Sequence, residues 1–202
     1  LDPGLSSAKK ALADTAATLG RPEEAVSLVL QALKLDPLSS SSYADLAAYS
    51  MRLGRLGEAE AAIRKAIALL PNGAGRYATL SQIDILRGNA DTALADAQRE
   101  PAGLYHDEAI AQALQIGPDH TAANAALSNF IVKYQNDSPF QVAETYAVRK
   151  DGDKMFEWLE RARVARDSLL QELLIDPFFL PWRHDPHFTR LCQELNLPVP
   201  KD

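Results

Sequence analysis

The chain has 202 residues, 47% of them hydrophobic and 24% charged, which excludes global disorder and leaves room for one large domain or two small ones. Its 27 acidic and 21 basic side chains give a net charge of −6, which argues against a coat for nucleic-acid phosphates. The single cysteine, Cys192, excludes an intrachain disulfide framework and a Cys-based zinc site, and no run approaches the ~20 apolar residues of a membrane-spanning helix.

The opening Leu1-Asp2-Pro3 returns as Leu35-Asp36-Pro37, where it ends a helix, and in shortened form as Leu70-Pro71. Residues 1–5 are therefore expected to be the tail of a preceding helix, and the chain the C-terminal piece of a longer protein. Gly20, Gly54 and Gly88 then follow at intervals of 34 residues, each between two segments of helical periodicity. Each is expected to turn a helical hairpin. Small residues recur seven before the turn (Ala13, Ala47, Ser81) and five after it (Ala25, Ala59, Ala93), where two helices approach closely. Leu12, Leu46 and Leu80 are expected to fill the space between helices, as are Val29, Ile63 and Ala97. Ala32 and Ala66 are small where the next hairpin packs, and Pro37 and Pro71 stop the second helix. The run Ser39 to Ser42 reads as a turn in which a serine caps the following helix.

Further along the pattern shifts. Gly117 comes only 29 residues after Gly88, so the third unit is expected to be short near Glu100-Pro101-Ala102-Gly103. A fifth unit turns near Lys150-Asp151-Gly152, with Met155 standing where a small residue is usual, so that hairpin is expected to be splayed or repacked. The units are 6–39, 40–73, 74–102, 103–135 and 136–169. Residues 170–202 do not repeat. They read as a helical cap on the last unit, with Asp176-Pro177 and Asp185-Pro186 as helix starts.

These spacings resemble the tetratricopeptide repeat, a 34-residue helix-turn-helix unit, and Tyr43 to Pro71 (YADLAAYSMRLGRLGEAEAAIRKAIALLP) is the clearest copy. The resemblance implies an all-α superhelical solenoid of about five hairpins. The segment from Val142 through Leu197 also resembles the C-terminal end of repeat regions in bacterial regulatory and signalling proteins, among them winged-helix regulators, class III cyclases and Ser/Thr kinases. Ala143-Glu144-Thr145-Tyr146-Ala147, Phe156 through Ala162, Asp176-Pro177 and Asp185-Pro186-His187-Phe188 carry it.

The family's concave groove implies a non-catalytic scaffold for a protein or peptide segment. Groove offsets fall on Lys10 and Asp14, Met51, Gln82 and Ile85, Asp107 and Leu114, and Phe140 and Glu144, with Met51, Ile85 and Leu114 offering apolar contact. The positions of the family's carboxylate clamp hold Lys10, Asp14, Asp45, Gly75 and Thr79; only Lys10 matches, which argues against a chaperone tail as ligand. Residues 1–100 carry 11 basic and 12 acidic side chains and residues 101–202 carry 10 and 15, so the second half favours a neutral or basic partner. Self-association through the N-terminal end, or service to an enzyme domain elsewhere in a longer protein, are the alternatives.

No nucleotide-binding loop, nucleophile elbow or zincin motif occurs, and no enzyme activity or cofactor is expected. His184 and His187 flank the Asp185 cap and do not share a helical face, so no metal site with Cys192 is expected. Arg64-Lys65 and Arg161, Arg163 and Arg166 read as solvated helix faces. The cytoplasm is the expected compartment, or the periplasm if the whole protein is membrane-anchored.

Overall fold

The computed structural model describes residues 3–200. Among them are eleven α-helices and no strand, arranged as an all-α superhelix. The first ten are consecutive antiparallel pairs: α1 (Pro3–Thr18) with α2 (Pro22–Leu35), α3 (Ser40–Arg52) with α4 (Leu56–Leu69), α5 (Arg76–Arg87) with α6 (Ala90–Ala97), α7 (Leu104–Gln115) with α8 (His120–Tyr134), and α9 (Pro139–Arg149) with α10 (Gly152–Ala165). A single helix α11 (Pro186–Glu194) follows two short 3-10 turns at Ser168–Glu172 and Leu180–Trp182. Pro3 to Leu5 belong to α1; Leu1 and Asp2, the rest of the segment expected to be a helix tail, lie outside the described residues.

Each pair closes where small side chains let two backbones approach. Ala13, Ala25, Ala47, Ala59, Ser81 and Ala93 are all wholly buried. Val29, Ile63 and Ala97 fill the adjoining space. Leu12 does not share it: 54% of its surface is exposed, on the outer side of the first pair. Replacing Ala59 with Leu should destabilise the fold by about 1–3 kcal/mol, because three added carbons have no void to enter. Urea denaturation measures the loss, and an unchanged midpoint would contradict the packing assigned to this pair.

The turns repeat down to individual hydrogen bonds. Gly20, Gly54 and Gly88 adopt φ of +69°, +68° and +79°, the left-handed region that glycine enters without steric cost. The next residue then donates its N–H to the carbonyl five back: Arg21 to Ala16, Arg55 to Ser50 and Asn89 to Asp84, each at 2.9 Å. Lys150, at φ +64°, takes the same role in the fifth pair, with Asp151 donating to Tyr146 at 3.0 Å. At the fourth turn the residue after Gly117 is Pro118, which has no N–H. That bond cannot form, and the connection widens to residues 116–119. The buried small residue of α8 is consequently Ala123, with Ala122 only partly covered, so the register slips by one.

Two serines show the same periodicity. Ser6 Oγ donates to the Ala32 carbonyl at 3.2 Å, and Ser40 Oγ to Ala66 at 3.0 Å, each holding the last turn of a second helix. Ser39 caps α3 by accepting the Ser42 N–H at 3.2 Å.

The third pair is short because α6 spans only Ala90–Ala97, against the 14 residues of α2 and α4. The shortening brings Glu100 back under α5. Its buried carboxylate accepts N–H groups from Gly75 (2.6 Å), Tyr77 (2.9 Å) and Ala78 (3.0 Å). Gly75, at the N-terminus of α5, has no side chain to do this, so an acid 25 residues away satisfies the open end of the helix and its dipole.

Asp185 caps α11 with Oδ1 accepting the His187 N–H at 2.7 Å and Pro186 in the first position. Asp176-Pro177 does not start a helix. Asp176 Oδ1 accepts the Phe178 N–H at 2.7 Å in a turn, and Phe178 and Phe179 both enter the core. Met155 is wholly buried in the C-terminal core with Leu159 and Ala162.

Candidate functional site

The first helices of successive pairs, α3, α5, α7 and α9, line the inner side of the array, where a cavity of about 330 Å³ opens. The remaining wall is the segment that follows the last pair. Residues 168–178 do not stop at the last pair as a simple cap; they run back across the inner face toward the first. The Leu174 side chain packs on Gly20, Ile175 joins the cluster of Ala17 and Tyr49, and Arg52 Nε donates to the Leu174 carbonyl at 2.8 Å. Leu170, Leu173 and Phe178 extend the core that includes Ala78, Ile85 and Phe140. Phe179 meets Phe140 edge to face at 5.4 Å. Trp182 sits over Gly152, where a Cβ would overlap its ring.

Of the residues expected in the groove, Met51, Gln82, Phe140 and Glu144 line this cavity. Met51 and Phe140 are buried beneath their neighbours, and so is Ile85, which faces a separate cleft with Arg87 and Arg149; none is a free apolar contact. Leu114 is part-covered and lines neither space. Lys10 is held between Asp45 at 2.8 Å and Asp14 at 3.3 Å, and Tyr49 donates to Asp14 at 2.7 Å, so its charge is already matched. Asp107 points away, between α7 and α8. Burial pushes its pKa up, but hydrogen bonds from Lys133 (2.6 Å), His106 and Tyr134 outweigh that and hold the carboxyl below its usual range.

Glu108 faces the cavity in place of Asp107, as the one-residue slip at Pro118 requires. Gln112 follows it one turn on and joins it to α5: Gln112 Nε2 donates to Glu108 at 3.0 Å, and Gln82 Nε2 donates to Gln112 at 3.4 Å. The only sequence signal for this shift is the proline at the turn.

Glu108, Glu144 and Asp176 come together here from α7, α9 and the returning segment, all buried and within hydrogen-bonding reach of one another in series. Burial pushes the Glu108 carboxyl up to about 8 and Glu144 well above the carboxylate range, with neighbouring negative charges adding to it. Burial also raises Asp176, against the hydrogen bonds it receives and the Arg52 charge. Glu172 stands at the mouth, pushed to about 7 by desolvation and by Asp176, Asp45 and Asp14. The surface is acceptor-rich and cation-poor, and nothing in it forms a nucleophile–base pair.

Among the described residues no group of three or more His, Cys, Asp and Glu is arranged to hold a metal ion. Cys192 is wholly buried, while the exposed His187 ring lies against Asp185 and Phe156. No described helix is long and apolar enough to cross a membrane.

The fold and its inner face define a helical-repeat protein. The family model described as tetratricopeptide repeat matches residues 11–37 and 40–72, which lie in the first two pairs. The whole array is similar in fold to TTC0263, a thermophilic TPR protein of Thermus thermophilus, at TM-score 0.60 and 18% identity, over 95% of this chain and 100% of that one. It is also similar to MamA (TM-score 0.52, 17% identity, 77% and 95% covered) and to YrrB, described as a TPR protein with an unusual peptide-binding site (0.50, 17%, 81% and 88%). No curated protein sequence matches the chain.

Proposed function

We propose that the protein is a non-catalytic scaffold that holds a peptide or protein segment on the inner face of its repeats, with residues 1–169 as the repeat body and 170–202 as the segment that closes it. The observation that carries this reading is the cavity between α3, α5, α7 and α9, whose polar lining is turned inward and left open by the chain's own packing. The peptide-binding site described for YrrB supports it by analogy of fold. The excess of carboxyl groups on this face favours a neutral or basic occupant. The likeness of residues 142–197 to repeat regions of bacterial regulatory and signalling proteins supports a place in such a protein.

A photo-crosslinking residue at Thr79, in the cavity wall, and one at the exposed Lys65 on α4 distinguish the faces. Peptides selected from a random display library against the intact chain should label at Thr79 and not at Lys65. Labelling confined to Lys65 would move the binding surface to the outer face.

Leu5 and Leu12, both about half exposed on α1, favour a second reading, self-association through that end. Sedimentation velocity should then show a concentration-dependent rise in mass, abolished by Leu12→Glu; a constant monomer mass removes this reading.

A further inference from the structure

We propose that the inner cavity is a receptor for one organic cation, the ammonium or guanidinium end of a Lys or Arg side chain on the bound peptide, taken by Glu108, Glu144 and Asp176 with Gln141 as a neutral acceptor. This deepens the scaffold reading and rests on it for the source of the cation.

Two independent observations converge. The first is the three buried carboxyl groups on three different elements, lining one cavity, with no ion pair reaching any of them among the described residues. Arg52 is committed to the Leu174 carbonyl and acts on Asp176 only at a distance. Among the described residues Arg76 is the one cationic side chain in the cavity lining, its Nε buried without a partner, near Asp45, which already pairs with Lys10. The second is Gln141, on α9 in the same wall. It is 4% exposed, and its Oε1 is buried without a hydrogen-bond partner. A buried amide oxygen left unpaired carries a desolvation cost that an incoming N–H donor removes.

The chemistry of the occupant follows from what these groups lack. Once deprotonated, the three carboxylates and the Gln141 oxygen present acceptors, so the ligand must present donors. A small hard cation needs several oxygens converging on one point, and among the described residues no such group exists. An ammonium or guanidinium spreads three to five N–H groups over separated acceptors. The cavity, about 330 Å³, lies at the lower end of the range for small-molecule sites. That suits one side-chain end better than a bulky metabolite.

Binding is coupled to protons. Without a cation the carboxyl groups relieve their crowding by holding protons, Glu108 and Glu144 foremost. The groups facing them are Tyr105 on α7, Asp45 and Arg52 on α3, Arg76 on α5, and Glu172 on the returning segment, with Glu100 behind α5 and Lys10 and Asp14 on α1. These add more negative than positive charge. A bound cation stabilises the carboxylates, so a proton leaves to solvent as the N–H groups arrive.

Isothermal titration of the intact chain at neutral pH tests this in two buffers of different ionisation enthalpy, phosphate and Tris. The probes are a blocked Gly-Lys-Gly tripeptide, its norleucine counterpart and 1,5-diaminopentane. The Lys peptide should bind saturably with heats that differ between the buffers, and the norleucine peptide at least tenfold more weakly. Glu144→Gln should weaken the Lys peptide at least tenfold and remove the buffer dependence. Gln141→Met should weaken it severalfold with proton release retained, which keeps the test open if Glu144→Gln unfolds by circular dichroism. Saturable diamine binding without the peptide overturns the side-chain source and points to a free amine. Absence of buffer-dependent heat from either probe overturns the site and leaves a closed proton-sharing network. Library peptides that label Thr79 yet bind Glu144→Gln unchanged overturn the inference alone, while the scaffold reading stands.

Discussion

Lowering the pH from about 8.5 to about 5.5 should stabilise the protein, the reverse of the loss expected where carboxylates are ion-paired. Glu108 titrates at about 8 in the fold, against about 4.3 in an unfolded chain. The folded state therefore holds a proton that the unfolded state has released. That stability is full below the unfolded value and is lost as pH rises through the folded one. Glu144 and Glu172 act in the same direction. At 1.36 kcal/mol per pH unit, the shared titration of Glu108 and Glu144 contributes on the order of a few kcal/mol across this window. The depressed carboxylates, Glu60, Glu157, Glu160 and Asp107, act oppositely but only near and below their ordinary range. The midpoint of thermal unfolding should fall between the two pH values, and Glu108→Gln, which fixes the neutral form, should flatten the slope. A midpoint that is level or rises with pH would refute the buried-acid assignment.

Deleting residues 170–202 should cost still more. The cut removes Leu170, Leu173, Leu174, Phe178, Phe179, Phe188 and Leu191, every one buried. It bares Phe140 on the inner face and Met155, Trp158 and Leu159 behind it. The product should aggregate, or melt far below the parent. Phe179→Ala gives the graded version: a wholly buried ring, stacked edge to face on Phe140, costs about 3–5 kcal/mol when truncated. Native stabilities are about 5–15 kcal/mol, so this one change consumes a large part of the margin. A soluble truncated chain with the parent's midpoint would mean that residues 170–202 do not hold the structure together.

The helical pairs were legible in the sequence because their determinants are local and periodic. A glycine that must enter the left-handed region and alanines that must let helices touch leave a mark every 34 residues. Three features escaped. Glu100 reads as an ordinary acid in a short loop, and nothing in its surroundings reveals that it accepts three N–H groups of α5. The slip at Pro118 turned Asp107 out and Glu108 in; the missing N–H was visible, but its consequence depends on the hydrogen bond that the other turns make. The path of residues 168–178 was the hardest to foresee. Its apolar residues signal burial, but burial against the last pair and burial along the inner face have the same hydropathy. The same path decides which groove positions are open, and it puts Asp176 beside Glu144.

That path also changes the connectivity of the molecule. In a linear stack each unit touches only its neighbours, so the ends can fray and the middle can persist. Here the bond from Arg52 to Leu174 spans 122 residues and joins the early part of the array to the late part. The array becomes a circuit. Losing one end releases contacts at the other, which makes melting a single cooperative event. Assembly must also wait for a long loop to close, so folding is slower than the short-range contacts of the individual hairpins would set.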